Sequence, residues 1–238
     1  MKLIVLPFAG GNKYSFSLLK KKMAMYEMIT LEYSGRGTRS DEPLSNDIDL
    51  VVDDVYSQII KCVEPDEDYV IYGHSMGGLL AYLVGVKIQD SNFTAPRCII
   101  VSGRYSPAVC KNTNIHLLPS SAFWREIIAL EGTPQGIANE PQIQSFFEPV
   151  LRNDFKMVET YISEDLTILN FPIYVLYGKN EAIHNLQDFY RWKELSSEKV
   201  SFYEFEGGHF FIINKLNEVA NLLLSILKYE KAVTGIKN

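Results

Sequence analysis

The stretch DYVIYGHSMGGLLAYLVG, residues 68–85, decides the fold. Its first part is a short apolar run typical of a buried strand, and its last part has the apolar content of a buried helix. Between them lies GHSMG, residues 73–77, which matches the pattern G-x-S-x-G. Glycines permit a tight strand-to-helix turn, and such a turn lifts the Ser75 hydroxyl above the edge of a sheet. The stretch therefore predicts a nucleophilic serine at the carboxyl end of a buried strand.

Short apolar runs alternate with longer amphipathic segments along the whole chain. Strand patterns fall at 2–6, 28–33, 68–73, 97–103, 171–178 and 200–207, and helical patterns fall around 16–23 and at 47–63, 79–88 and 218–227. This alternation predicts an α/β fold with a mostly parallel central sheet and helices on both faces.

The alternation of strand and helix patterns stops between residues 104 and 170. No strong strand pattern occurs there, and three pieces look helical, at 120–130, 140–151 and 153–162. Ligands bind at the carboxyl edge of the sheet in such folds. We therefore expect a single domain over residues 1–238, with a helical lid at about 104–170 above that edge.

Composition narrows the function classes. The net charge of −6, from 23 Lys+Arg and 29 Asp+Glu, argues against a nucleic-acid surface. No apolar run approaches the roughly 18 residues that a membrane span needs. The three cysteines, Cys62, Cys98 and Cys110, show no CxxC spacing and no neighbouring histidine cluster. This pattern favours reduced thiols in a cytoplasmic protein over a disulfide framework or a metal site.

A serine hydroxyl needs a base, and the chain has four histidines. His74 lies inside the turn, where its side chain is expected to point away from Ser75, and His116 lies in the expected lid. His209 follows the last predicted strand in FEGGHFF, where two glycines let the loop bring the imidazole over the sheet. The order serine, acid, histidine is that of the α/β-hydrolase fold, so we predict His209 as the base.

The acid should follow the strand that ends at Tyr177-Gly178, in the stretch YGKNEAIH. Glu181 is the carboxylate within reach, while Asn180 could orient an imidazole but carries no charge to stabilise its protonated form. Asp188 is near in sequence but is expected one or two helical turns away, and a carboxylate from another loop stays open as an alternative. His184 is expected at the surface. We predict Glu181 as the third catalytic residue.

An oxyanion hole is the remaining requirement. One donor should be the backbone N–H after the nucleophile, which belongs to Met76. The second should come from PFAGG, residues 7–11, whose glycines allow the backbone to approach an oxyanion closely. Ala9 is the predicted donor, with Phe8 or Gly10 as alternatives.

Further motifs give a resemblance that covers nearly the whole chain. They are LPFAGGN (6–12), YSGRGTRSDEPL (33–44), YGHSMGGLLAY (72–82), VSGRYSP (101–107), LEGTPQGI (130–137), LRNDFKMVETY (151–161) and FEGGHFFI (205–212). In these the chain resembles the type II (external, editing) thioesterases of nonribosomal peptide and polyketide synthesis. The resemblance implies an α/β-hydrolase with a mobile lid that removes acyl groups from the phosphopantetheine arm of acyl- or peptidyl-carrier proteins. It implies no metal and no organic cofactor.

The chain departs from the family motif at the position of the catalytic acid. The family usually carries aspartate, often an Asp-Asp pair, after the strand that ends at Gly178, whereas this chain has Lys179-Asn180-Glu181. Glutamate also serves in triads of this fold. The open question is whether the longer side chain reaches His209.

Other features and functions stay open. Arg36 and Arg39 fit turn-stabilising ion pairs with Asp41 or Glu42 better than a phosphate contact. A carrier protein could dock on basic side chains at Lys20–Lys22, Lys111 or Arg125. Competing functions are a medium-chain acyl thioesterase or small-molecule esterase, and a hydrolase-fold protein that binds an acyl carrier without turnover. We expect a monomer.

Overall fold

The fold was analysed in a computed structural model, which describes residues 1–109, 111, 113–133, 135–162, 166–181 and 185–234. Its strands are β1 (Lys2–Leu6), β2 (Glu27–Thr30), β3 (Tyr69–His74), β4 (Ile99–Ser102), β5 (Ile173–Gly178) and β6 (Val200–Phe205). Its helices are α1 (Ser17–Lys22), α2 (Ile48–Cys62), α3 (Met76–Gln89), α4 (Ser120–Ala129), α5 (Gln135–Ala138), α6 (Pro141–Thr160), α7 (Leu186–Tyr190), α8 (Phe211–Asn214) and α9 (Leu216–Thr234). Each predicted strand corresponds to an observed one, within a few residues at its ends.

The strands form one six-stranded sheet in the order β2-β1-β3-β4-β5-β6, and every neighbouring pair is parallel. The carboxyl ends are nearly level, since Leu6 lies opposite Gly73 and Ser102 lies opposite both His74 and Leu176. The strand order reverses between β1 and β3, which is where open α/β sheets form their binding crevice.

Helices cover both faces of the sheet, as predicted. Alternate strand residues point to opposite faces, so Tyr69 and Ile71 join one core cluster while Val70 and Tyr72 join the other. The first core is completed by α2 and α3 and the second by α1 and α9. The α/β prediction is thereby confirmed.

The chain between β4 and β5 holds α4, α5 and α6, with a small apolar cluster of its own around Phe123 and Trp124. The prediction of two helices at 140–151 and 153–162 is wrong, because α6 runs unbroken over Pro141–Thr160 with Pro149 in its interior. Whether these helices move as a lid stays a prediction.

In the ranges that the structure describes, no helix combines the length and the apolar character needed to cross a bilayer.

Candidate active site

Ser75 sits on a strained turn between β3 and α3. Its φ is 55° and its ψ is −115°, a conformation that residues other than glycine rarely adopt. Two flanking glycines make the turn possible: a Cβ at Gly73 would collide with the Gly77 carbonyl, and one at Gly77 would collide with the Leu6 carbonyl. The turn therefore holds Ser75 at the carboxyl edge of the sheet, directly before the first turn of α3.

His209 lies four residues beyond the end of β6, and its imidazole reaches the serine. The distance from His209 Nε2 to Ser75 Oγ is 3.0 Å. The other ring nitrogen, Nδ1, lies 3.3 Å from Glu181 Oε2. One tautomer satisfies both contacts: Nδ1–H donates to Glu181, and Nε2 accepts from the Ser75 hydroxyl. The structure thus brings Ser75, His209 and Glu181 into one hydrogen-bonded line.

Glu181 is buried, with 8% of its surface exposed. Its carboxylate bends back to the end of β5, where Gly178 N–H donates to Glu181 Oε1 at 3.3 Å. The second oxygen, Oε2, is then left facing His209. The contact to His209 is slightly longer than a typical N–H···O hydrogen bond of about 2.9 Å. The longer side chain therefore does reach the imidazole, which answers the geometric question left by the sequence.

The expected oxyanion donors lie at the start of α3 and in the loop after β1. Both Met76 and Ala9 border a cavity that also contains Ser75. Within the described part of the chain, neither the Met76 nor the Ala9 backbone N–H has a hydrogen-bond acceptor, so both are free for a ligand. The Gly10 N–H is already engaged, since it donates to Asp154 Oδ2 at 2.8 Å. The geometry therefore favours Ala9 over Gly10, and Phe8 stays the remaining alternative.

Asp154 connects α6 to this loop, in keeping with the structural role that the sequence favours for it over a catalytic one. Besides the Gly10 N–H, its carboxylate accepts two hydrogen bonds from Arg36, at 2.5 and 2.7 Å. The predicted pairing of Arg36 with Asp41 or Glu42 is therefore wrong. Asp154 is only 1% exposed, and the guanidinium carbon of Arg36 also lies 5.2 Å from the centre of the Tyr33 ring. The loop of Ala9 is thus fixed by a buried ion pair 118 residues apart in sequence.

His74 is fully buried behind the site and points away from Ser75. Its Nδ1 lies 3.0 Å from Ser102 Oγ, and its ring centre lies 5.0 Å from that of His209. Burial is the main reason that the pKa of His74 lies well below its ordinary value, and the neighbouring His209 lowers it further. His74 is therefore neutral and packs as an aromatic ring against His209.

Two cavities meet at Ser75. The large cavity has a volume of about 360 Å³ and is mostly apolar. The small cavity has a volume of about 70 Å³. Both border Ala9, Ser75, Leu130, Phe155 and His209. Side chains of α4, α5 and α6 line the large cavity, so the helical segment encloses the space above the serine.

Several other candidates lie in structural contacts. Arg39 pairs with Glu42, as predicted, and also with Asp54. His116 Nδ1 lies 2.6 Å from Glu159, and Lys111 lies 2.6 Å from Asp188. His184 and Cys110 fall outside the described residues. Across the described ranges, no group of three or more His, Cys, Asp or Glu side chains could hold a metal ion.

Known proteins share this sequence pattern and fold. A probable cadicidin biosynthesis thioesterase from Streptomyces griseus is 27% identical over 98% of this chain and 64% of its own length. This chain therefore spans less than two thirds of that relative. The gramicidin S biosynthesis protein GrsT from Aneurinibacillus migulanus is 27% identical over 96% of this chain and 89% of its own.

Among solved structures, ClbQ from the colibactin NRPS/PKS pathway superposes with a TM-score of 0.90. It is 27% identical and covers 98% of both chains. The family description of the thioesterase domain matches residues 1–227. That range contains Ser75, Glu181 and His209 and all six strands. The chain therefore belongs to the thioesterase domain family.

Proposed function

We propose that this protein hydrolyses thioesters through a covalent acyl-serine intermediate. Ser75 Oγ attacks the thioester carbonyl carbon while His209 Nε2 takes the hydroxyl proton. Glu181 stabilises the protonated imidazole, and the backbone N–H groups of Met76 and Ala9 hold the oxyanion. The carbon–sulfur bond then breaks, and His209 returns the proton to the departing thiolate.

The second half of the reaction releases the acyl group. His209 takes a proton from a water molecule, whose oxygen attacks the carbonyl carbon of the acyl-serine. The bond to Ser75 Oγ breaks, and the serine recovers its proton from His209. The proposal needs no metal and no organic cofactor. The observation that carries it is the hydrogen-bonded line from Glu181 through His209 to Ser75 in a chain of the thioesterase family.

The substrate that we propose is an acyl or aberrant intermediate on the phosphopantetheine arm of an acyl- or peptidyl-carrier protein. The activity would clear blocked carriers of a nonribosomal peptide or polyketide synthetase. Support comes from the biosynthetic thioesterase names of the relatives and from the likeness to ClbQ of an NRPS/PKS pathway. We further propose that the enzyme acts in the cytoplasm and that it is a monomer. Sedimentation velocity would test the monomeric state.

The decisive experiment is hydrolysis of a panel of acyl-carrier-protein thioesters. Wild type should release free acid, and Ser75→Ala should lower kcat by roughly 10⁴-fold or more. Ser75 should also become labelled by an active-site phosphonate. Absence of hydrolysis on every carrier thioester would refute the proposal, and absence of phosphonate labelling would favour a binding protein without turnover.

A second candidate function rests on the large cavity, whose apolar lining also suits a medium-length acyl chain. A medium-chain acyl thioesterase would show kcat/KM rising with acyl length on acyl-CoA substrates. A small-molecule esterase would prefer free oxoesters. Comparing acyl-carrier, acyl-CoA and oxoester substrates of equal acyl group separates these functions from the editing thioesterase.

A further inference from the structure

Arg104 is a buried cation close to the reacting serine. It follows β4 by two residues, after Gly103, and its backbone carbonyl accepts a hydrogen bond from Trp192 Nε1 at 2.8 Å. Only 8% of the residue is exposed. The fold therefore fixes the backbone of Arg104 and keeps its guanidinium inside the protein.

The charge of Arg104 has no carboxylate to balance it in the part of the chain that the structure describes. Its guanidinium carbon lies 4.3 Å from the centre of the Tyr105 ring, and its Nε is buried without a hydrogen-bond partner. Arg36 gives the contrast, because it is equally buried yet forms a bidentate pair with Asp154. Burial lowers the pKa of Arg104, although a guanidinium stays charged. A buried cation of this kind is stabilised when an anion binds beside it.

Arg104 borders the small cavity, together with Ser75, Met76 and His209. Glu159 also borders it, but Ile115 N–H, His116 N–H and His116 Nδ1 all contact that carboxylate, which engages both of its oxygens. The Glu159 charge is therefore directed toward Ile115 and His116. Arg104 is then the cation that borders the small cavity and is available to a ligand there.

The two cavities suit the two sides of a thioester. The phosphopantetheine arm is the long side and must reach the protein surface, so it fits the large cavity. The acyl group is then left to the small cavity. At about 70 Å³ this cavity has about a fifth of the volume of the large cavity, which is about 360 Å³. It therefore accepts short acyl groups.

We propose that Arg104 is an anion subsite of the acyl side, and that the enzyme prefers thioesters of short dicarboxylic acids, such as malonyl or succinyl thioesters. The free carboxylate of the acyl group would pair with the guanidinium while the thioester carbonyl lies at Ser75. This inference rests on the proposed thioesterase function and adds a substrate class to it.

The test compares acyl groups of equal size on one carrier protein. Malonyl and isovaleryl groups have the same number of non-hydrogen atoms and the same branching, and succinyl and 4-methylpentanoyl groups form a second such pair. We expect wild type to hydrolyse the anionic member of at least one pair with a tenfold or greater advantage in kcat/KM. Arg104→Met should lower that anionic-to-apolar ratio at least tenfold, and Arg104→Lys should lower it less.

Arg97→Met is the matched control, because Arg97 pairs with Asp68 at the amino end of the sheet, far from Ser75. Its ratio should equal that of wild type. If wild type hydrolyses the apolar members as fast as the anionic ones, the inference is wrong while the thioesterase function stands, even should an Arg104 variant fail to fold. If no carrier thioester of any acyl group is hydrolysed, the proposed function itself fails.

Discussion

Glu181 reaches His209 because its side chain bends back onto its own strand. Gly178 N–H holds one carboxylate oxygen, and the other faces the imidazole. The extra methylene, compared with an aspartate, is taken up by this bend. The position of the carboxylate is therefore set by the end of β5 as much as by the loop that follows it.

Replacing the Glu181 carboxylate should affect the chemical step more than binding. We expect Glu181→Gln to lower kcat by roughly 10³-fold, because the protonated imidazole loses its counter-charge, while KM changes little. Glu181→Asp should retain more activity, since it keeps the charge at a shorter reach. Steady-state kinetics on one acyl-carrier thioester measures both.

The exposed Glu206, which pairs with Lys179, offers a control for that prediction. Glu206→Gln should stay within twofold of wild type. Should Glu181→Gln also keep kcat within threefold, the acid of the site is a different residue.

His74 links stability to pH. The native state keeps it neutral, with its pKa well below the ordinary 6.5, whereas the unfolded chain binds a proton near pH 6.5. Protons therefore favour the unfolded state, and this contribution to stability is lost as the pH falls below about 6.5. Between pH 7.5 and 5.5, wild type should lose about 1.4 kcal/mol more unfolding free energy than His74→Phe. Urea denaturation at both pH values checks this, and equal losses would contradict it.

At the scale of elements, α6 and the loop after β1 form one unit, because side chains of α6 bind and pack against that loop. Asp154 binds Gly10 N–H and Arg36 at once, and the Leu151 side chain, one helical turn earlier, packs against Gly10. Tyr33 adds a hydrogen bond from its hydroxyl to the Pro7 carbonyl at 2.9 Å. The loop that carries Ala9, the proposed oxyanion donor, is thus held by contacts from α6 and from Tyr33.

Breaking this unit should reduce stability and turnover separately. Asp154→Asn leaves Arg36 buried without a counter-charge and should cost about 3–5 kcal/mol of unfolding free energy. The double variant Arg36→Met/Asp154→Leu should recover most of that stability. Its kcat should nevertheless stay about tenfold below wild type, because Gly10 N–H has no acceptor and the oxyanion loop loosens.

Urea denaturation and kcat measured on the same preparations distinguish the two effects. A double variant with wild-type kcat would show that Asp154 only stabilises the fold.

Element boundaries show where local sequence reasoning stops. The predicted gap between the helices at 140–151 and 153–162 does not exist, and α6 also continues through Pro149, although a proline inside a helix removes one backbone hydrogen bond. The packing of Phe155 and Leu151 on the Phe123 cluster holds the helix through that position. The pairing of Arg36 was wrongly predicted for a similar reason. Asp41 and Glu42 are close to it in sequence, whereas its actual partner, Asp154, lies 118 residues away.

For the whole molecule, the strand pattern was sufficient to predict the α/β fold, because six apolar runs alternate with amphipathic ones. The positions of Ser75 and His209 followed from motif and chain order. The reach of Glu181 depends on side-chain conformation, and the lack of a carboxylate beside Arg104 among the described residues depends on which acids the fold brings near. Neither can be read from spacing along the chain.

The division into two cavities predicts separate effects on the two sides of the substrate. Ile137 lines the large cavity, so Ile137→Trp should lower kcat/KM at least tenfold for carrier-bound thioesters, whose long arm no longer fits. Hydrolysis of the same acyl group on a short thiol should stay within twofold of wild type. Ile143→Trp, at a site 41% exposed on α6, is the control. Equal losses on both substrates would contradict this assignment of the cavities.

Ser75 borders both cavities, while Ile137 borders only the large one and Arg104 only the small one of the pair. Under the assignment of the cavities proposed above, selectivity for the leaving thiol and selectivity for the acyl group would be determined by different side chains on different elements. A descendant of this protein could then change the acids that it releases through the residues after β4, and still act on the same proposed carriers. The chemistry at the serine would remain common to both changes.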